Sequence, residues 1–313
     1  MSSRREFFRR FSRGAIASAA ATKLAAAAVL PSAESARKVA LKPYQWSGAY
    51  AQMRDGLKAR HDAGLCAEVR ATWMAEGDRL ILRSSEIVGY EKGYFYDDHL
   101  PTYDPEGRGK GYQHISFQWD TPKRTDALSA DCVVPGKGKF WLRLQAQGDY
   151  VDVELGLRND LAGAIGDVDW AFCLVGHENP SIGDVELTRT FLFDGQRLRT
   201  LREMTGAAEC EMYLVAGARG FVPAPHIDFP KGPVQAKASV VVVEAEDHKY
   251  AAAIGFAQAH TIYSNPVNKC FHADPYFGPF TKHGEQRTVR GKIYLIEGSA
   301  QDALARYRRD FGA

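Results

Sequence analysis

An alternation of apolar and polar residues between positions 140 and 158 constrains the fold of this 313-residue chain more than any other feature. Apolar side chains recur at every second position on either side of Gly148-Asp149: Phe140, Leu142, Leu144 and Ala146 before it, and Val151, Val153, Leu155 and Leu157 after it. Side chains two residues apart lie on the same face of a strand. The pattern therefore predicts an antiparallel hairpin with one buried face.

Similar short segments, separated by turn residues, continue along the chain. They predict further strands at 67–73, 78–83, 170–175, 186–193, 197–204, 239–245, 251–257 and 288–296. Helical spacing of apolar residues is confined to 50–57 and 300–311. There is no alternation of strands with long helices and no internal repeat. The sequence thus predicts an all-β fold, a large antiparallel β-sandwich with short N- and C-terminal helices.

The first 36 residues predict an export signal. Ser3-Arg4-Arg5-Glu6-Phe7-Phe8-Arg9 resembles the twin-arginine export motif, and an Ala-rich apolar run from Ala15 to Leu30 follows it. That run is shorter than the roughly 20 apolar residues of a spanning helix, which favours a signal over a membrane anchor or a disordered arm. The resemblance implies export of the folded protein to the periplasm or beyond. Residues 37–313 would then form a single β-sandwich domain without an integral membrane segment.

Outside this signal the charges almost cancel. Residues 1–36 hold six of the 40 Lys and Arg and two of the 38 Asp and Glu, which leaves 34 basic and 36 acidic side chains. A nearly neutral domain offers no electrostatic basis for binding nucleic acid or an anionic membrane.

The cysteines give no recognisable cluster. Five are present, at positions 66, 132, 173, 210 and 270, and none forms a Cys-x-x-Cys pair. The spacing predicts no zinc cluster and no cofactor, although a divalent metal bound by residues from distant segments remains open. This count is compatible with one or two disulfides, and equally with buried free thiols.

Two segments stand out for their polar and aromatic content. Asn265–Gly278 carries two prolines together with Cys, His, Asp, Tyr and Phe, and its prolines predict an irregular loop. Residues 89–112 are rich in Gly, Tyr and Asp and predict a long loop packed near the site. Such groups on loops beside strands are typical of binding or catalytic sites.

The C-terminal part resembles the galactose mutarotase-like supersandwich superfamily. The resemblance covers residues 130–300 and rests on an Asn/Pro-rich loop, a Gly-Glu turn and a last strand bearing an aromatic residue: Asn265-Pro266, Asn268, Pro275, Gly284-Glu285 and Tyr294. The superfamily includes sugar epimerases, polysaccharide lyases and accessory sandwiches of glycoside hydrolases, so the resemblance implies a carbohydrate ligand. Mutarotases carry a glutamate base some twenty residues before the Gly-Glu turn. Here that position has His260-Thr261-Ile262-Tyr263, so mutarotase activity is not implied.

Five residues are candidates for acid–base catalysis. His272 and Asp274 are two apart, so on an extended segment the carboxylate would orient the imidazole. Tyr276 would stack on or protonate a sugar. His177 and Glu178 directly follow a predicted strand. The structural alternatives are a turn at Asp274 before a proline and an ordinary polar turn at 177–178.

Five more residues are candidates for substrate contacts. His114 and Gln118 fall on one face of a predicted strand, and Asn268 lies in the Asn/Pro-rich segment. Arg189 would hold a uronate carboxylate with both guanidinium nitrogens, unless it lies on a solvated strand face. His260 is the last, although such a histidine is more often structural.

These candidates predict an exported carbohydrate-active lyase, isomerase or hydrolase, with His272 or His177 as base and Tyr276 as proton donor. The alternatives are a non-catalytic carbohydrate-binding module and a structural envelope protein. Convergence of segments 89–112 and 265–278 on one pocket would distinguish the structural protein from the other two.

Overall fold

The alternating segments form strands of two antiparallel sheets. A computed structural model describes residues 38–44, 65–91, 93–97, 117–120, 126–218 and 229–312. Its elements in chain order are β1 (Val39–Tyr44), β2 (Cys66–Ala71), β3 (Leu80–Tyr90), β4 (Gly93–Asp97), β5 (Ala127–Val134), β6 (Gly138–Ala146), β7 (Tyr150–Asn159), β8 (Gly166–Val175), β9 (Thr190–Phe193), β10 (Leu198–Thr200), α1 (Leu201–Thr205), β11 (Tyr213–Leu214), β12 (Val240–Glu244), β13 (Tyr250–Phe256), β14 (Ala259–Asn265), β15 (Cys270–Phe280), β16 (Gln286–Glu297) and α2 (Ala300–Phe311).

The described residues form eight strands in each sheet. The first has the order β1-β2-β3-β8-β15-β14-β11, with β4 paired to β3, and the second has the order β10-β9-β12-β13-β16-β7-β6-β5. The hairpin predicted around Gly148-Asp149 is β6–β7, which pairs Phe140 with Leu157 and Ala146 with Val151. The prediction of an all-β antiparallel sandwich is confirmed.

Apolar side chains from both sheets meet in one core. Phe140 of β6 packs edge-to-face on Trp170 of β8 with ring centroids 5.1 Å apart, and Phe172 of β8 packs on Phe256 of β13 at 5.2 Å. The indole N–H of Trp170 donates to the Ser84 carbonyl oxygen at 2.6 Å. The one polar atom of this buried ring is thus satisfied, and the two sheets are held face to face.

The predicted C-terminal helix packs on the outer side of the second sheet. Ser299 caps α2 through a reciprocal pair of hydrogen bonds with Asp302. Ala303, Leu304 and Tyr307 are buried against β12, β13 and β16. The Tyr307 hydroxyl donates to the Phe256 carbonyl oxygen at 2.9 Å, which anchors the helix to the sheet.

The prediction of an irregular loop over 265–278 is wrong. Asn265 ends β14, a turn follows at 266–269, and β15 runs straight through Pro275. The Asn265 side chain accepts from the amides of Val267 and Asn268 and so holds the turn. Pro275 pairs with Ala259 where the register of β14 and β15 shifts, so its missing N–H falls at an irregularity of the ladder.

Two predicted strands are shorter than expected. Only Thr190–Phe193 of segment 186–193 is a strand, and only Leu198–Thr200 of segment 197–204. The second segment turns into α1 because Thr200 and Glu203 form a capping box at a helix start. Apolar alternation alone does not reveal that local signal.

The twin-arginine segment and the predicted helix at 50–57 lie outside the described residues, as do residue 92 and residues 98–112 of the long segment. The other residues of the long segment 89–112 belong to the hairpin of β3 and β4 rather than to a loop. The residues from Ala36 to Ala313 form one compact unit. No helix among the described residues is long and apolar enough to cross a membrane.

Candidate functional site on the first sheet

A row of chemistry-bearing side chains crosses the first sheet at a single level. In the antiparallel register Cys66 lies opposite Arg83, Arg83 opposite Cys173, Cys173 opposite His272, and His272 opposite Tyr263. Directly opposite residues have Cβ atoms about 4.5–5.5 Å apart and share a face. We call this face, which points away from the sandwich core, the outer face.

The alternation of β15 explains why its reactive side chains share this face. Phe271 and Ala273 belong to the sandwich core, and the intervening residues point the other way. Four chemistry-bearing residues therefore follow one another on one side of one strand: Cys270, His272, Asp274 and Tyr276. All four are buried.

His272 lies at the centre of the first group of contacts. Its Nδ1 is 3.4 Å from Asp274 Oδ1, and its ring stacks on Tyr263 with centroids 4.0 Å apart. Its Nε2 is 3.5 Å from Cys270 Sγ and 3.8 Å from Glu86 Oε2. Both nitrogens of the imidazole thus face a carboxylate or a thiol, and such groups favour a proton or a metal cation bound at those nitrogens.

Asp274 is fixed by three strands. Its Oδ1 accepts from the Phe172 amide at 3.1 Å, and its Oδ2 accepts from the Thr261 hydroxyl at 2.9 Å. The carboxylate is therefore held by β8 and β14 while it faces His272 on its own strand. Asp274 thus lies within β15 and faces His272, and it does not form a turn before Pro275.

The electrostatics of this group are those of a charge pair. Burial by itself lowers the pKa of His272, but Cys270 and Asp274 outweigh that effect and raise the pKa to about 10. The hydrogen bond from Cys173 lowers the pKa of Cys270, while burial raises the pKa of Cys173. A thiolate at Cys270 beside an imidazolium at His272 is the expected state of the bare protein near neutral pH.

Glu86 reaches the same face through a bulge in β3. The register of β3 against β8 passes from Arg83–Cys173 to Ile87–Ala171, which places two extra residues in β3. Because of these residues, Arg83 and Glu86 pair with each other, with Nη1 2.6 Å from Oε1, and both are buried. The bulge brings a carboxylate and a guanidinium to the row.

A second group lies further along β15. The Tyr276 hydroxyl donates to Asp167 Oδ1 at 2.6 Å, and the Tyr276 ring stacks on His260 with centroids 5.2 Å apart. Nδ1 of His260 is 2.9 Å from Asp169 Oδ2. Burial raises the pKa of Asp169 to about 6 against the opposing effect of His260, and Asp274 raises it further. The two groups are thus in electrostatic contact.

The other predicted site residues lie elsewhere. His177 is exposed in the turn after β8, and Glu178 accepts from the Tyr44 hydroxyl at 2.5 Å and pairs with Arg79 Nε at 2.7 Å. Asn268 lies in the β14–β15 turn. Gln118 is exposed outside any strand, and His114 lies outside the described residues.

Arg189 has a structural environment. Its guanidinium donates to the carbonyl oxygens of Ser181, Glu244 and Gly183 at 2.9, 2.5 and 3.2 Å. Donors engaged with backbone carbonyls do not suit the predicted carboxylate clamp.

The structure therefore brings together His272, Asp274, Tyr276 and His260, of which the first three share a strand. Sequence reasoning missed five further groups on this face: Arg83, Glu86, Asp167, Asp169 and Cys173. One signal was available in Cys270-x-His272-x-Asp274-x-Tyr276, whose spacing of two is that of one strand face. The flanking prolines concealed it, since they favoured a loop.

Comparison with known proteins gives similarity at the level of fold only. No protein-family profile matches this chain, and no curated protein matches it. Solved structures similar to it include a galactose mutarotase related enzyme from Lactobacillus acidophilus, with 10% identity and a TM-score of 0.41 over 74% of this chain and 91% of that one. A galactose mutarotase-like protein from Clostridium acetobutylicum has 9% identity and a TM-score of 0.40 over 74% and 88%. An alpha-N-acetylgalactosaminidase from Bifidobacterium bifidum has 10% identity and a TM-score of 0.44 over 88% and 37%.

These similarities carry no inference about the reaction.

Proposed function

We propose that this protein is an exported carbohydrate-active enzyme whose acid–base groups are Tyr276 and His260 on the outer face of the first sheet. The observation that carries the proposal is the stacked pair of rings, each with its own carboxylate partner. A phenol and an imidazole side by side are the kinds of proton donor and proton acceptor that general acid–base catalysis uses.

Asp169 sets the state of the acceptor. When Nδ1 of His260 donates to Asp169, the lone pair of the neutral ring lies on Nε2, which is the tautomer of a general base. The carboxylate also stabilises the imidazolium that forms when a proton is taken up. Asp167 accepts a hydrogen bond from the Tyr276 hydroxyl and so fixes the direction of the phenol.

The chemistry of this pair suits a sugar lyase or isomerase. In such a reaction His260 removes a proton from a ring carbon and Tyr276 delivers one to the departing or rearranging oxygen. This assignment replaces His272 as the base, because its two ring nitrogens face Cys270, Glu86 and Asp274 of the protein itself.

Export by the twin-arginine route belongs to the same proposal. It is supported by the arginine pair and the Ala-rich run of the first 36 residues. A periplasmic or secreted location would give the enzyme access to polysaccharide outside the cytoplasm. Fusion of residues 1–40 to a reporter that is exported only when folded tests it, and export that survives replacement of both Arg4 and Arg5 by Lys would contradict it.

The catalytic proposal is tested by exposing the purified protein to a panel of neutral and uronate-containing oligosaccharides. We expect one class to raise the melting temperature and to be converted to shorter, unsaturated or epimerised products. At a hundred times its dissociation constant a ligand stabilises by about 2.7 kcal/mol. A chain of this size should then melt several degrees higher, at about 2–4 °C per kcal/mol. A panel that produces neither stabilisation nor product would contradict the proposal.

The same panel separates an enzyme from a binding module. In an enzyme, His260→Gln and Tyr276→Phe lower turnover by about 10²–10⁴-fold while much of the ligand-induced stabilisation remains. In a non-catalytic module no product forms with the unaltered protein, and the two variants change binding alone.

A further inference from the structure

We propose that Cys173, Cys270, His272 and Glu86 bind one zinc ion on the outer face of the first sheet. The first three offer Sγ, Sγ and imidazole nitrogen atoms that all lie within 4.8 Å of one another, and all three residues are buried. This inference is independent of the carbohydrate proposal, since it uses none of the groups assigned to proton transfer.

The spacing of the ligand atoms fits a tetrahedral ion. Zn–S bonds of about 2.3 Å and Zn–N bonds of about 2.0–2.1 Å at a tetrahedral angle place sulfur and nitrogen about 3.6 Å apart. Cys270 Sγ and His272 Nε2 are 3.5 Å apart. Glu86 Oε2 is 3.8 Å from His272 Nε2, so this carboxylate faces the same imidazole nitrogen as Cys270 Sγ and is the candidate for the fourth ligand.

The strands present these ligands from separate parts of the chain. Cys270 and His272 alternate on β15, Cys173 lies opposite His272 on β8, and the bulge of β3 supplies Glu86. A zinc ion would thus join the three central strands β3, β8 and β15. No Cys-x-x-Cys motif is needed, because the sheet register brings the ligands together.

The surroundings have the supporting contacts that a bound ion requires. Asp274 Oδ1 faces His272 Nδ1 at 3.4 Å, so Nδ1 can donate to it while Nε2 faces the ion. Metal-bound histidines commonly donate their second nitrogen to a carboxylate in this way. Asp274 is itself held by Phe172 and Thr261, which makes the orientation of the ring rigid.

The charges favour a divalent ion of borderline softness. Two thiolates and one carboxylate carry three negative charges, against two on the ion and one on Arg83, whose guanidinium binds Glu86. Thiolate and imidazole select zinc over calcium or magnesium, which prefer oxygen. Four protein ligands leave no open position, so the ion would stabilise the sheet rather than activate water.

The test measures metal in the full-length protein, produced in zinc-supplemented medium and dialysed. We expect about one zinc per chain. Exchange for Co²⁺ should give intense visible bands of a tetrahedral ion and near-ultraviolet thiolate-to-cobalt charge transfer. A protein that holds no zinc and takes up no cobalt would overturn the proposal, and so would a Cys173–Cys270 disulfide found in the folded protein.

Matched variants locate the ion. Cys173→Ala should lose the charge-transfer band and most of the zinc, whereas Cys66→Ala should keep both, although Cys66 is buried on the same face. Equal loss in both variants would overturn the assignment.

If Cys173→Ala does not fold, Asp274→Asn provides the decisive measurement. It removes no ligand and should weaken zinc binding about 10–100-fold, as loss of a carboxylate partner of a metal-bound histidine does. Unchanged zinc affinity in that variant would count against the site.

Discussion

The phenol ring of Tyr276 stacks on the imidazole of His260, with ring centroids 5.2 Å apart and 30° between their planes. The two residues come from neighbouring strands, β15 and β14, and each binds a different carboxylate of β8. This arrangement holds a phenol and an imidazole side by side on one face of the sheet.

Tyr276→Phe is expected to lower turnover of the substrate found in the oligosaccharide panel by about 10²–10⁴-fold, because it removes the proton donor and keeps the ring. Stability should fall by about 1.5–3 kcal/mol, because the variant removes a hydrogen bond to the buried carboxylate of Asp167. Steady-state kinetics and thermal unfolding measure the two effects.

Tyr294→Phe is the matched control for that variant. Tyr294 is also buried and also donates to a carboxylate, Asp310, at 3.1 Å, but it belongs to the second sheet. It should keep full turnover. Equal loss in both variants would show that Tyr276 acts through folding rather than through proton transfer.

Asp169→Asn is expected to change how stability depends on pH. Burial raises the pKa of Asp169 in the folded state to about 6, above its value of about 3.8 in the unfolded chain. The folded state therefore binds more protons than the unfolded state between these values, and the wild type loses stability as the pH rises through that window. The stability of the variant relative to the wild type should therefore increase as the pH rises from about 4 to about 7.

Melting temperatures of both proteins across that range measure this effect. The groups that face Asp169 are His260, Tyr276 across the strand pair, and Asp274 through space. A difference in melting temperature that stays constant with pH would contradict the prediction.

Glu285→Gln is expected to act in the opposite direction. The Thr281 amide and the Arg287 guanidinium hold the pKa of Glu285 at about 2, below its ordinary value of 4.5. A lowered pKa in the folded state contributes stability that is present above about pH 4.5 and is lost as the pH falls toward 2. The variant should therefore melt below the wild type at pH 6, with the difference disappearing near pH 2.

Glu297→Gln is a suitable control for that experiment, since Glu297 is a carboxylate at the end of β16 whose side chain is 59% exposed. It forms a surface ion pair with Lys38 at 3.4 Å. It should show little of the acid-dependent loss. Matching pH profiles for the two variants would exclude the Thr281 and Arg287 contacts as the cause.

Ser299→Ala is expected to destabilise the protein by about 1 kcal/mol, because it removes the side-chain oxygen that accepts from the Asp302 amide at the start of α2. At about 2–4 °C per kcal/mol the melting temperature should fall by a few degrees. Ser299→Asn, which keeps a capping oxygen, should remain close to the wild type. A larger loss with Asn than with Ala would contradict the capping role.

The sequence by itself determined the class of fold and most of its strands. Alternating residues such as Phe140 and Leu142 lie on one face only if the segment is a strand. Ala303, Leu304 and Tyr307 lie on one face only if their segment is a helix. These patterns are local in the sequence, so they predict the element even when the strands or helices that pack against it are unknown. The strand prediction over Arg197–Met204 was wrong for the second half of that segment. A capping box, which is an equally local signal, starts α1 there.

Only the tertiary structure decided the site. Cys173 and His272 are 99 positions apart and meet because β8 and β15 are neighbours in a particular register. A register is set by the packing of whole sheets, and a shift of one residue would turn each of these side chains to the opposite face. The same register places Asp169 beside Tyr276 and makes a strand of the segment whose prolines predicted a loop.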